Sequence, residues 1–370
     1  MRILYVNNVL PYPTHDGGRM RRYHLARALA EEHEVSMLGV APDPDALTEF
    51  ERLNPRIRFL PIAYRPEAGR VRVAAEAREW LARETFDAVH VAELWQWPGV
   101  RPLAGLPVVL DAENVESLLH RRLLELKGIT GSHPDLVAVE ALERQAFQRA
   151  DRILACSEHD ALLIQQAQPD AQVAVVRNGV AVDHYPFRPE RPSGKTAIFT
   201  YVGLLCYAPN ADAASHFARS IWPQIRAELP TARFRIVGRY PPAEIMELGQ
   251  IPGVEIIPNV PEIQPYFHEA DVLVVPLRAG SGTRLKILEG LASGTPMIST
   301  TLGCEGLAVR HGEHLYIADQ PAEFARQAVW MATHHDETRT VRDRGRRLVE
   351  ERYGWETIGK DLRAAYAGLA

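Results

Sequence analysis

Three cysteines in 370 residues, Cys156, Cys206 and Cys304, stand far apart and form no CxxC pair. Such usage suggests neither a disulfide framework nor a zinc site, and it points to a cytoplasmic compartment. Long apolar runs are missing too. No stretch of about 18 apolar residues occurs, so no segment is expected to span a membrane and any membrane contact would be peripheral. The opening MRILYVNNVL begins like a secretion signal, but its apolar run is short and Asn7 and Asn8 interrupt it. A charge excess is also absent: a net charge of -5 gives no electrostatic reason to expect a nucleic-acid partner. Of the 14 histidines no two stand in a metal-ligand pattern, and no metal is expected. GxGxxG does not follow the first apolar run, which argues against a dinucleotide oxidoreductase. PSGKT (192–196) fails as a phosphate loop, because Pro189 stands where that pattern needs its earlier glycine.

What is present is an alternation of short apolar runs with longer amphipathic ones, the pattern of parallel sheets covered by helices. Strands are expected at RILYVNN, EVSMLGVA, IRFLPI, FDAVHVAE, PVVLDAEN, RILACS and VAVVRNG in the first half. A helix from about Gly18 to Glu32 turns Leu25, Ala26, Ala28 and Leu29 to the core and Arg19, Arg21, Arg22 and Arg27 to water. RPERPSGK (188–195) is polar, proline-rich and without period, and reads as a linker. The alternation restarts with AIFTYVG, RFRIVGR, VEIIPNV, DVLVVPL and PMIST, separated by helices such as ADAASHFARSIWPQIRAEL. The expected organisation is therefore α/β, with doubly wound domains over residues 1–187 and 196–350 and a closing helix over 351–370. Length agrees, since one core rarely serves 370 residues. The arginine-rich run at 338–355 is interleaved with acids and apolar residues and reads as a solvated helix face.

Chemistry concentrates in GSGTRLKILEG (280–290), between two buried-strand patterns. On a helical wheel Leu285, Ile287, Leu288, Leu291 and Ala292 fill a broad apolar arc, leaving Lys286, Glu289 and Gly290 as a narrow strip. Gly290 would let another group approach the backbone there. Ahead of the helix, Gly280, Ser281, Gly282 and Thr283 can turn free N–H groups toward an anion, helped by the helix dipole, Arg284 and Lys286. An ionised Glu289 accepts only, which suits paired sugar or ribose hydroxyls. Phosphates at the helix start and hydroxyls on the carboxylate describe a nucleotide diphosphate sugar. An intrahelical Lys286–Glu289 pair on a solvent strip fits the same residues.

The run EADVLVVPLRAGSGTRLKILEGLASGTPMISTTLGCEGL resembles the donor region of family 4 glycosyltransferases. PYPTHDGGRMRRYHLARALA, ADRILACSEHD, VVRNGV, FTYVGLLCYAPN and FRIVGR extend the resemblance over nearly the whole chain. It implies the GT-B architecture, two facing Rossmann-like doubly wound parallel-sheet domains with an interdomain cleft, the first on the acceptor side and the second for the donor. The family usually carries two glutamates separated by seven residues. Glu289 matches the second, on the nucleotide ribose, whereas Ser281 stands in place of the first and supplies no charge. The arginine and lysine that many members carry after the first strand of the second domain are replaced by GLLCYAPN, so Arg284 and Lys286 would take over the pyrophosphate, as in a subgroup with GTRLK. The resemblance also implies backbone approach to the diphosphate at Gly203, base reading through main-chain groups at Val260, and nucleotide contact at Arg239, for which a surface arginine is the alternative. It places Gly17 and Gly18, in a flexible loop before a helix, near the transferred sugar.

On the acceptor side, His15 and Asp16 are candidates for base catalysis or helix capping. Asp111, Glu113 and Asn114 end a strand, as sugar or acceptor contacts or as a cap. Ser157 and Glu158 read as structural. The reaction implied is transfer of a glycosyl unit from a nucleotide diphosphate sugar to an acceptor hydroxyl of a sugar, lipid-linked glycan or small metabolite, with retention and without metal or other cofactor. The catalytic candidates are Arg284, Lys286, Glu113 and Asp16. A nucleotide-sugar epimerase and a non-catalytic sugar-nucleotide binder are the alternatives.

Overall fold

The apolar runs read from the sequence pair in parallel and divide into two sheets in the computed structural model, which describes residues 1–62, 69–100, 105–188 and 196–369. The expected linker lies, apart from Arg188, outside the described residues. Contacts group the chain into two units: Met1–Arg121 with Gly131–Asn178 and Trp355–Ala370, and Arg122–Thr130 with Gly179–Gly354.

Unit 1 holds β1 (Arg2–Val9), β2 (Glu34–Val40), β3 (Ile57–Ile62), β4 (Ala88–Ala92), β5 (Val108–Ala112), β6 (Arg152–Ala155) and β7 (Val173–Val175). Their order is β3-β2-β1-β4-β5-β6-β7. Alternate residues serve opposite faces of the sheet. Leu4, Val6, Val89, Val91 and Leu110 join one apolar cluster, while Ile3, Tyr5, Val35, Met37 and Val109 join another. Helix Gly17–Leu29 starts at Asp16, whose Oδ1 accepts from Arg19 N at 2.9 Å and so satisfies an orphan donor. Gly17 and Gly18 are thus the first turn of the helix and not the loop expected before it.

The same helix carries a second correction. Leu25, Ala26, Ala28 and Leu29 are in the core as expected, but Arg21 and Arg22 are buried at 1% and 6% exposure and only Arg27 is exposed. Helical spacing registers arginine as a water-facing residue, and carboxylates 90 and 91 positions away overrule it. Closing the unit, helix Trp355–Tyr366 turns Ile358, Leu362 and Tyr366 into the second cluster. Each such buried side chain contributes about 1.5–3 kcal/mol.

Unit 2 holds β8 (Ile198–Leu204), β9 (Arg233–Arg239), β10 (Val254–Pro258), β11 (Val272–Val275), β12 (Met297–Ser299) and β13 (Tyr316–Ile317), in the order β10-β9-β8-β11-β12-β13. The last strand has two residues, too few to leave a pattern in the sequence. The expected helix after β8 is one helical run that loosens to a π turn at Phe217–Ile221 before Trp222–Glu228. Pro223 supplies no N–H and crowds the carbonyl four residues back, which favours the wider turn. Helix His335–Arg352 is less solvated than its charge suggests: Arg342 is buried and donates to Gly294 O at 2.6 Å, and Arg346 donates to Tyr185 O at 2.6 Å. Among the described residues no helix is long and apolar enough to cross a membrane.

Candidate functional site

In both sheets the strand order reverses beside the first strand, between β1 and β4 and between β8 and β11. Ligands of doubly wound sheets collect at the carboxyl ends of strands near such a reversal. Two cavities lie elsewhere. One of about 350 Å³ is lined by Trp222, Pro223 and Pro252, and one of about 800 Å³ lies at the amino edge of unit 1 by Arg2, Glu34 and Asp87. Neither gathers the residues singled out by the sequence, so strand topology is the better guide here.

At the carboxyl edge of unit 2, Gly203 of β8 stands in register with Gly238 of β9. A Cβ on Gly238 would fall 1.8 Å from Gly203 O, and one on Gly203 would fall 3.0 Å from Lys286 Nζ. Gly238 therefore requires glycine, and a side chain on Gly203 would press against Lys286. Lys286 projects from helix Leu285–Ala292, donating to Tyr201 OH at 3.0 Å and Asn210 Oδ1 at 2.8 Å, with its ammonium 4.3 Å from the Tyr201 ring centroid. These partners are neutral. Burial and the nearby Arg284 cation bring the Lys286 pKa down to about 7, against a smaller upward pull from Glu289. The ammonium is held ready for a counterion that the protein supplies only weakly.

One turn further along the helix, Glu289 accepts from Tyr185 OH at 2.7 Å. Burial raises its pKa, while the Tyr185 hydrogen bond and Lys286 pull it back. Tyr185 is fixed in turn by an edge-on contact with Phe267 at 6.0 Å. Lys286 and Glu289 therefore share the helix strip, each with its own hydrogen-bond partner.

Before the helix, Gly280 and Gly282 have φ of 149° and 67°, values that favour glycine. Arg284, buried, folds back on this loop and donates to Gly282 O. A Cβ on Gly280 would lie 2.4 Å from Arg284 Nη2. The guanidinium thus supports the loop from within. Ser281 is buried and Thr283 half-buried. Arg122, which belongs to unit 2, donates to Gly280 O at 2.7 Å and forms a two-pronged pair with Glu305 at 2.7 and 2.9 Å.

On the next strands, Arg239 donates to Val260 O at 3.4 Å and Tyr240 N donates to Asn259 Oδ1 at 3.0 Å. Gly290, assigned above to the polar strip, is instead buried. A Cβ there would meet Met297 Cε at 2.4 Å and Leu273 Cδ2 at 2.7 Å, so the group approaching this backbone is the hydrophobic core.

In unit 1 the candidates separate by depth. Asp111 is fully buried, its oxygens taken by Arg21 Nε and Nη2 at 2.6–3.0 Å. It stands behind the surface that Glu113 and Asn114 help to form. Glu113 takes Arg22 Nε at 2.6 Å and Nη2 at 3.0 Å, and Arg22 Nη2 also reaches Glu93 at 2.8 Å. Burial raises the Glu113 pKa to about 7 against the pull of Arg22. Gly18 faces this pair, because a Cβ there would be 3.2 Å from Glu113 Oε2. Asn114 donates to Glu116 at 3.2 Å, Asp16 caps the helix, and His15 is exposed. Ser157 caps helix Glu158–Ala167 and donates to Asp160 at 2.6 Å.

Sequence reasoning missed Arg22, Glu93, Arg122, Tyr185, Tyr201 and Asn210. Glu93 alone had a visible signal, as the acid that ends the FDAVHVAE strand pattern. Among the described residues no group of three or more His, Cys, Asp or Glu is arranged to hold a metal.

Comparison with known proteins shows the family and the fold. A model described as "Glycosyl transferase 4-like domain" matches residues 16–179, and one described as "Glycosyl transferases group 1" matches residues 196–334. The chain belongs to the family 4 glycosyltransferases, and its two parallel-sheet Rossmann-like domains have the GT-B fold. It is 24% identical to a glycogen synthase of Mycobacterium tuberculosis, over 99% of this chain and 94% of that protein. Among solved structures it resembles sucrose-phosphate synthase from Thermosynechococcus elongatus, with a TM-score of 0.78, 17% identity and coverage of 100% and 99%. It also resembles Anabaena HepE in complex with UDP and glucose, with a TM-score of 0.73, 14% identity and full coverage of both chains.

Proposed function

We propose that the chain transfers a glycosyl unit from a nucleotide diphosphate sugar to an acceptor hydroxyl, retaining anomeric configuration and using no metal. One observation carries the reading. Lys286 is a half-buried ammonium with neutral hydrogen-bond partners, set beside the bare backbone of Gly203 at the strand reversal of unit 2. That arrangement sets a cation beside backbone that carries no side chain, which suits a diphosphate.

In this reading Lys286 and the amides of the 280–284 loop stabilise charge as it develops on the departing diphosphate, while Arg284 keeps the loop in shape. The second lone pairs of Glu289 accept ribose hydroxyls, and Val260 with Arg239 lines the base. Ser281 offers a neutral hydrogen bond to the sugar where relatives place a glutamate. A phosphate oxygen assists removal of the acceptor proton, so no lone protein base is required. UDP in the HepE complex supports a uridine donor. The GTRLK motif and the assignment of donor and acceptor sides to residues 196–350 and 1–187 belong to the same proposal, as does a cytoplasmic site of action.

Labelled nucleotide sugars incubated with an acceptor pool and EDTA test it, with the product anomer read by proton coupling constants. The expected result is a glycoside of the donor's configuration, formed at least tenfold more slowly by Glu289→Ala. A free epimer, or a product formed only without EDTA, contradicts the reading.

A further inference from the structure

The carboxyl edge of unit 1 brings Asn7, Asn8, Arg22, Glu93 and Glu113 to the point where β1 and β4 part. A guanidinium has five N–H donors. Arg22 directs Nε to Glu113, Nη1 to Asn7 and Asn8, and Nη2 to Glu93 and Glu113, at 2.6–3.3 Å. Behind it Arg21 is engaged in the same way by Asp111, Val176 O, Arg177 O and Asn178. Arg19, the next cation on the helix, pairs with Asp16 at 3.4 Å. The two buried cations of this edge, Arg21 and Arg22, are thus matched to protein acceptors.

What remains facing outward is carboxylate oxygen. The Glu93 and Glu113 side chains keep 15% and 14% exposure, against 7% for the Arg22 between them. Each carboxylate oxygen bonded to an N–H retains a second lone pair. From beneath, the fully buried Tyr5 hydroxyl has no hydrogen-bond partner and lies in the fields of Asp111, Glu113, Arg22 and Arg21. The cluster therefore has polar capacity on both sides that its internal bonds do not use.

Resting on the reading that unit 2 takes the donor, we propose that unit 1 takes the acceptor through Glu93 and Glu113, and that this acceptor is a neutral sugar or polyol presenting hydroxyls. Hydroxyl donors match the spare lone pairs. A phosphate or carboxylate on the acceptor would meet the Glu93 and Glu113 carboxyl groups and no uncommitted N–H of Arg22, a repulsion strengthened by partial burial. Glu93 is the specificity residue, and Arg22 is the positioning residue that keeps both acids at one spacing.

The test offers an oligosaccharide extract, split by anion exchange into neutral and anionic pools, with radiolabelled UDP-glucose and GDP-mannose. UDP binding is measured on the same protein. The proposal expects label in the neutral pool, and expects Glu93→Gln, which keeps shape and removes charge, to lower it at least tenfold with UDP affinity unchanged. Label in the anionic pool, label in neither, or wild-type labelling by Glu93→Gln overturns it. Loss of UDP binding by the wild-type protein would instead remove the donor reading, so the two failures are distinguishable.

Discussion

Arg21 is tolerated in the core because Asp111 grips it with two oxygens and three further acceptors surround Nη1. Removing one member of such a pair leaves a buried charge without compensation, which costs about 3–5 kcal/mol. Asp111→Ala is therefore expected to lower the stability of unit 1 by that amount in denaturant unfolding, and a change under about 1 kcal/mol would show the pair to be dispensable. At this scale the sequence was half legible. Lys286, Glu289, Asp111 and Glu113 are visible as polar residues in apolar contexts, but each partner comes from a remote segment: Tyr185 for Glu289, Tyr201 and Asn210 for Lys286, Arg21 and Arg22 for the two acids. Periodicity counts charge and cannot say which charges meet.

Helix Leu285–Ala292 was readable in extent and orientation, because its apolar arc is broad and a glycine-rich loop precedes it. Its glycine was not. A wheel assigns Gly290 by angle, whereas packing against Met297 and Leu273 decides where it points. Gly290→Ala raises intrinsic helix propensity yet inserts a methyl into a closed contact, and overpacking of this kind costs about 1–3 kcal/mol. Thermal unfolding should show the variant less stable than wild type, and a raised midpoint would mean that Met297 moves aside freely. Helix Gly17–Leu29 failed in the complementary way. Two glycines suggested a loop, but Asp16 supplies a cap strong enough to begin the helix at Gly17.

Across the whole molecule, alternating apolar runs foretold two parallel sheets, since each strand buried on both faces leaves an unbroken hydrophobic stretch. The destination of the last helix was beyond that pattern. Trp355–Tyr366 follows unit 2 in sequence and belongs to unit 1, where Trp355 stacks on His24 at 4.3 Å and Tyr366 OH meets His90 Nδ1 at 2.7 Å. Burial lowers the His90 pKa to about 4, so the ring is neutral at pH 7 and suited to that contact. A chain ending at Gly354 should lose Ile358, Leu362 and Tyr366 from the second core cluster and expose the unit 1 sheet. Hydrogen exchange is expected to quicken in β1 and β4 well before β8 and β11. Equal loss of protection in both sheets would contradict the assignment of this helix to unit 1.

The central claim is that Lys286 receives the donor diphosphate. Its pKa of about 7 is below the ordinary lysine value, so the folded protein holds fewer protons than the unfolded chain between pH 7 and about 10.4. That contribution to stability rises with pH over this window, whereas an anion draws the proton back. UDP binding should therefore take up close to one proton near pH 8, and its Kd should rise about tenfold per pH unit above 7 until the lysine of the complex itself titrates. Calorimetric titration of UDP in two buffers of different ionisation enthalpy, from pH 6.5 to 9, measures both quantities. Proton uptake that disappears in Lys286→Met is the predicted result, and UDP affinity independent of pH in the wild-type protein, or unchanged in that variant, would contradict the account.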